Sequence, residues 1–183
     1  ADQGMIKDTY GYGPLYVRIR ACNVAIENLA EPQFSDEARV NNLLGQSYFL
    51  RAYYYQQLLR FYGGVPLIDR VYELGEDDYT APRNSYAEVV DFIIRDCRRA
   101  AELLTGTSGG QGRATEVAAL ALKARVLLYA ASDLHDLPTA STKAPVIGGY
   151  SDNQFLGYPS GSRTERWQRA KEAAFEVVKM TNL

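Results

Sequence analysis

Apolar residues recur over residues 36–62 at the three- and four-residue steps that share one face of a helix. Leu43, Leu50, Tyr54, Leu58 and Phe61 form one stripe, and Leu44, Tyr48, Tyr55, Leu59 and Tyr62 form a second beside it. Two adjoining stripes make an arc wider than a surface helix needs, so the pattern predicts a central helix packed on two sides. Ser35 is placed to cap its start, with Asp36 and Glu37 where the helix dipole favours negative charge. Gly63 and Gly64 suit the left-handed conformation that closes a helix, and Pro66 cannot continue one. Val65-Pro66-Leu67-Ile68 is then expected to leave as an extended, partly buried arm.

The same period recurs elsewhere. A first helix opens at Gly11-Tyr12-Gly13-Pro14, carries Leu15, Ile19, Cys22, Ile26 and Leu29 on one side, and ends before Pro32. Ser85-Tyr86-Ala87-Glu88 is a capping box, in which serine and glutamate each satisfy a free amide, followed by Val89, Ile93, Cys97, Ala100 and Leu104. A fourth stripe, Val117, Leu120, Ala121, Ala124, Leu127, Leu128 and Ala131, sits on an alanine-rich segment that a neighbouring helix can approach closely. Thr164 is placed to cap a last helix bearing Trp167, Ala170, Ala174, Val177 and Val178. Residues 132–163 show no periodicity and carry Pro138, Pro145 and Pro159, which predicts a long irregular connection. The expectation is an all-α fold, one helical domain over residues 1–183. Its helices stack as antiparallel pairs of the tetratricopeptide-like, α-α superhelix type with long irregular loops. No clean register of about 34 residues emerges.

Composition narrows the function classes. Hydrophobic content of 46% and charged content of 23% are those of a globular domain, and a net charge of -2 gives no footprint for nucleic acid. The first thirteen residues have neither the basic start nor the apolar core of a signal peptide. Cys22 and Cys97 read as two small buried hydrophobes, since spacing does not supply the proximity that a disulfide needs. The unusual feature is 14 tyrosines against one tryptophan, each tyrosine an apolar ring with a polar tip.

Candidate chemistry is sparse. His135 lies between Asp133 and Asp136 but has no nucleophile or second ligand nearby in sequence, so it reads as a solvated loop residue. Glu73, Glu76, Asp77 and Asp78 lack the spacing of a calcium loop and read as a solvated acidic loop. The glycines of residues 106–112 lack the lysine–serine pair of a phosphate-binding loop. No catalytic, metal or cofactor site is expected. Arg51 and Arg125, mid-helix among tyrosines and leucines, are expected to be partly buried and paired. Aromatic residues outside the helical stripes remain as ligand-binding candidates: Tyr10 and Tyr12 near the start, and Tyr150, Phe155 and Tyr158 in the long connection.

Several segments resemble one known family. Ala38-Arg39, Phe49-Leu50-Arg51-Ala52-Tyr53-Tyr54-Tyr55 and Phe61-Tyr62-Gly63-Gly64-Val65-Pro66-Leu67 are similar to the signature of the SusD/RagB family, nutrient-binding outer-membrane lipoproteins of Bacteroidetes-type bacteria. The run from Gly112 through Ser132, GRATEVAALALKARVLLYAAS, resembles a second family segment. The first-helix phrase around Tyr16, Ile19, Arg20 and Asn23 and the segment from Arg83 to Leu104 resemble others. The resemblance implies tetratricopeptide-like helical pairs and a non-enzymatic, surface-exposed receptor for oligosaccharide, or for peptide. It implies a lipid anchor to the outer membrane, absent from these residues, and a SusC-like TonB-dependent transporter as partner. It also implies that the chain is an N-proximal portion of a larger protein. The rival expectation is a helical-repeat adaptor that grips protein segments.

Overall fold

The computed structural model describes residues 9–75, 78–107 and 110–181. The four main helices before the long connection are α1, Tyr12–Ala30; α2, Glu37–Tyr62; α3, Tyr86–Leu104; and α4, Glu116–Ala131. Within the connection lie α5, Leu137–Lys143, α6, Pro145–Gly148, and a 3-10 turn, Asn153–Phe155; α7, Arg163–Thr181, follows. Among the described residues the only β-type pairing is an isolated bridge between Asp136 and Tyr158. The all-α expectation is met.

The long helices stack in a row, α1 on α2, α2 on α3, α3 on α4 and α4 on α7. Tyr12 meets Tyr62 while Asn23 bonds Arg51, so α1 and α2 run antiparallel. Tyr55 meets Phe92 while Arg51 bonds Asp96, which sets α2 and α3 antiparallel too. Leu15, Ile19, Tyr55, Leu58, Val89 and Ile93 are fully or almost fully enclosed in the main core. Because α2 is covered on two sides, its wide arc is used, though Leu50 and Phe61 at the edge of the first stripe stay 39% exposed.

The α2 position facing both neighbours is polar. Arg51, only 3% exposed, donates from Nε and Nη2 to the two carboxylate oxygens of Asp96, at 2.7 and 3.0 Å. Its Nη1 donates to Asn23 Oδ1 at 2.9 Å and to the Asp69 carbonyl at 3.3 Å. One guanidinium thus ties α1, α2, α3 and the arm together. Burial lifts the Asp96 carboxyl above its ordinary value against the pull of Arg51. For Arg51 burial works against the charge, and the contact with Asp96 more than compensates, so its proton is held tightly.

The expected arm is present. Gly63 takes a φ of 71°, and a side-chain carbon on Gly64 would lie 2.2 Å from the Asn84 carbonyl oxygen, so the chain turns there only without side chains. Beyond it the backbone lies over α1 and α2. Tyr16 donates to the Pro66 carbonyl at 2.6 Å, and Asn23 Nδ2 donates to Ile68 and Arg70 carbonyls at 3.0 Å each.

Several local expectations need correction. Asp36, not Ser35, caps α2, accepting from the Arg39 amide. α7 starts one residue before Thr164, and the Ser162 hydroxyl accepts from the Glu165 amide. The capping box at Ser85 and Glu88 is as expected. Arg125 is exposed; the buried cation of α4 is Lys123, paired with Glu176 of α7. The buried side of α4 is Ala119, Leu122, Lys123, Val126, Leu127, Ala130 and Ala131, rotated from the predicted stripe so that Leu128 is 51% exposed. Alanine on several sides left the period weak, and contact with both α3 and α7 chose the face. Residues 132–163 are not wholly irregular, since short helices of seven and four residues break them up. Cys22 and Cys97 are buried and free, and burial pushes their thiols up to about 11 and about 12.

Candidate functional site

Aromatic rings gather where α1 begins and α2 ends. Tyr12 and Tyr16 are one helical turn apart on α1, with ring centres 4.9 Å apart. The last turn of α2 brings Tyr62 edge-on to Tyr12 at 5.4 Å, and Phe61 to Tyr10 at 5.8 Å. The Tyr62 hydroxyl donates to the Tyr10 carbonyl at 3.4 Å, which holds the segment before α1 against α2. Tyr12 is 43% and Phe61 39% exposed, so this end presents ring faces together with phenol oxygens. Tyr16 is the anchoring member; burial, reinforced by Tyr12, pushes its phenol well above the ordinary range.

Phe155 lies across the Gly63–Gly64 turn from that cluster. Its carbonyl accepts from the Gly64 amide at 2.7 Å, and the Arg83 guanidinium sits 4.3 Å over its ring. Arg83 also donates to the Gly64 and Tyr62 carbonyls, at 2.8 and 3.0 Å, so Phe155 is clamped to the end of α2. Tyr158 packs elsewhere, 5.7 Å from Tyr86 and under the Arg166 guanidinium at 4.6 Å, and burial raises its phenol to about 12. Tyr150 is 42% exposed and stands apart from both groups. Of the five aromatic candidates, then, three adjoin the end of α2, one packs beside Tyr86 and one is isolated.

His135 is not a solvated loop residue. Its ring stacks on Tyr86 at 4.4 Å and 23°, and its Nδ1 lies 2.9 Å from the Leu156 carbonyl. A carbonyl only accepts, so Nδ1 carries the proton. Burial pulls the imidazole below its ordinary value. The flanking carboxylates are committed elsewhere. Asp133 pairs with Lys143 at 2.8 Å and with Arg163; Asp136 accepts from Thr139 and pairs with Arg166. No acid–base trio forms around this histidine. Among the described residues no three histidines, cysteines or carboxylates are grouped to hold a metal ion. In the acidic loop, Asp78 accepts from Thr80 at 2.8 Å from its amide and 2.7 Å from its hydroxyl, while Glu76 and Asp77 lie outside the described residues.

The sequence reading missed Phe61, Tyr62 and Tyr129 as surface rings. Phe61 and Tyr62 were absorbed into core stripes, yet both stand in the last helical turn, next to a glycine pair. That position is the signal, because a helix end is only partly covered by its neighbours.

A family model for SusD-like proteins, described as "Starch-binding associating with outer membrane", matches residues 4–128. The chain belongs to the SusD-like family. The SusD-like protein P38 of Formosa agariphila is 33% identical over 140 residues, covering 76% of this chain and 26% of that protein. The SusD-like protein P2 of the same organism is 31% identical over 127 residues, covering 69% and 25%. The chain therefore spans about a quarter of the length of these curated relatives. Among solved structures, a SusD-like protein of Bacteroides fragilis is 34% identical with a TM-score of 0.61, covering 84% of this chain and 28% of that one. A SusD superfamily protein of Parabacteroides distasonis is 27% identical with a TM-score of 0.65, covering 92% and 31%. The tetratricopeptide-like stacking expected from the sequence is thus that of SusD-like structures.

Proposed function

We propose that this SusD-like chain is the helical part of a larger, surface-exposed lipoprotein that captures oligosaccharide and passes it to a SusC-like TonB-dependent transporter in the outer membrane. The observation that carries the reading is the match of residues 4–128 to a family described as starch-binding and outer-membrane-associated. A solved protein of the same fold, at 23% identity and a TM-score of 0.59, is described as laminarin-binding. The chemistry of the aromatic end is compatible. A pyranose offers C–H faces to aromatic rings and hydroxyls to polar groups, and Tyr10, Tyr12, Phe61 and Tyr62 supply both. The role is passive binding rather than catalysis, with the stacked helices as a rigid platform. Among the described residues no helix is long and apolar enough to cross a membrane.

The test is calorimetric titration of the full-length protein with maltohexaose and laminarihexaose, beside a peptide library. Binding of either glycan, weakened about threefold to tenfold by Tyr12→Ala, supports the reading. Binding of peptides alone overturns it in favour of a protein-segment receptor. Recovery of the full-length protein from membranes without the transporter refutes the delivery step.

A further inference from the structure

The connection after α4 folds back on α3 and leaves a cavity of about 150 Å³ near the middle of the stack. Leu59, Val126 and Leu134 make its apolar wall, and Tyr86, Tyr129 and His135 make its aromatic one. Cavities of about 150 Å³ admit a benzene ring, and pockets for drug-sized ligands start near about 300 Å³. One six-membered ring is therefore the unit that fits.

The polar groups around the cavity decide what kind of ring. Tyr86 is only 2% exposed, and its ring, stacked on His135, lines the cavity. Its phenol oxygen can both donate and accept a hydrogen bond. His135 commits Nδ1 to the Leu156 carbonyl, which leaves Nε2 with a free lone pair. Gln56 accepts from Gln57 through its carbonyl oxygen, which leaves its amide hydrogens available. An apolar ring would leave all three unanswered; a ring bearing hydroxyls would answer each of them.

One residue links the cavity with the aromatic end. Arg60 lines it and holds its guanidinium 5.1 Å over Phe61, whose ring neighbours Tyr10. Tyr129, 56% exposed, gives the mouth a second ring face.

We propose that this cavity is a subsite for one neutral pyranose ring, at the far end of a row that begins at Tyr10 and Phe61. The inference rests on the glycan-binding reading above and adds to it a place and a set of contacts: Tyr86 hydroxyl, His135 Nε2 and Gln56 amide.

The experiment is titration of the full-length protein, as wild type, Tyr86→Phe and Gln56→Ala, with maltohexaose and laminarihexaose, with melting curves as controls. Tyr86→Phe keeps the ring that stacks on His135, so its melting should hold, and Gln56→Ala changes a half-buried side chain at the rim. Each variant is expected to weaken whichever glycan binds by about fivefold, the loss of one hydrogen bond. Wild-type affinity in both variants overturns the subsite and leaves glycan binding standing. Failure of the wild type to bind either probe overturns the subsite together with the reading beneath it.

Discussion

The Arg51–Asp96 pair supplies the sharpest test of how the helices are held. Replacing Arg51 with alanine leaves the Asp96 carboxylate, whose side chain is 1% exposed, without its counter-charge, and strips a donor from Asn23 and from the arm. Removing one member of a buried pair costs about 3–5 kcal/mol, because the remaining charge stays desolvated. For a chain of this size each kcal/mol lowers the melting temperature by about 2–4 °C, so the expected fall is about 6–20 °C. In urea, with a slope of about 2 kcal/mol per molar, the midpoint should drop by about 2 M. Asp96→Asn should cost nearly as much, since Arg51 would then be the stranded charge. The double variant Arg51→Ala/Asp96→Asn leaves no stranded charge, so its loss should be smaller than the sum of the single losses. A coupling energy of about 2 kcal/mol or more is expected from that cycle. An unmoved midpoint for Arg51→Ala, or strict additivity in the cycle, would refute the reasoning.

Three further outcomes follow from the same geometry. Gly64→Ala should destabilise by about 1–3 kcal/mol in denaturant titration, since the added carbon meets the Asn84 carbonyl and the turn must shift. Glu176→Ala should cost about 2 kcal/mol by thermal melting, below the full buried-pair range because Glu176 is half in solvent; Lys123→Met, which keeps the packed stem, should cost less. Acidification provides the third. The folded His135 binds its proton less readily than the unfolded one, whose ordinary value is 6.5, so stability is full above that pH and declines as pH falls below it. Between about pH 6.5 and 5, above the range of the neighbouring Asp133 and Asp136, the wild type should lose melting temperature and His135→Gln should not; parallel slopes would count against a buried neutral imidazole.

The parts of the fold legible in the sequence are those with strong local causes. The capping box at Ser85, the glycine pair that ends α2 and the stripe of α1 each act within a few residues; the box is found as predicted, Gly63 but not Gly64 takes a positive φ, and Leu15, Ile19 and Cys22 of the stripe are buried. The α4 face was misread because alanine leaves the period weak, and its orientation depends on Lys123 meeting a carboxylate 53 residues later. α5 and α6 are too short to show a period at all. For the candidate site, composition gave the residue type but not the grouping. Nothing local in Tyr10 and Phe61 says that they meet, because they are brought together only when α1 and α2 pack antiparallel. His135 was misplaced for the same reason: its partner, Tyr86, opens α3, which packs on α4 but is distant in sequence.

The way the arm is held bears on how this molecule opens. Leu67 and Ile68 give their amide protons to the Asn84 side chain and the Tyr55 hydroxyl, at 3.0 and 2.7 Å, not to a neighbouring strand. Those protons can exchange with solvent only when α2 or the segment before α3 withdraws. Two amides in a stretch without regular structure thus become gauges of the whole stack, and deuterium should enter them as slowly as it enters the helix interiors.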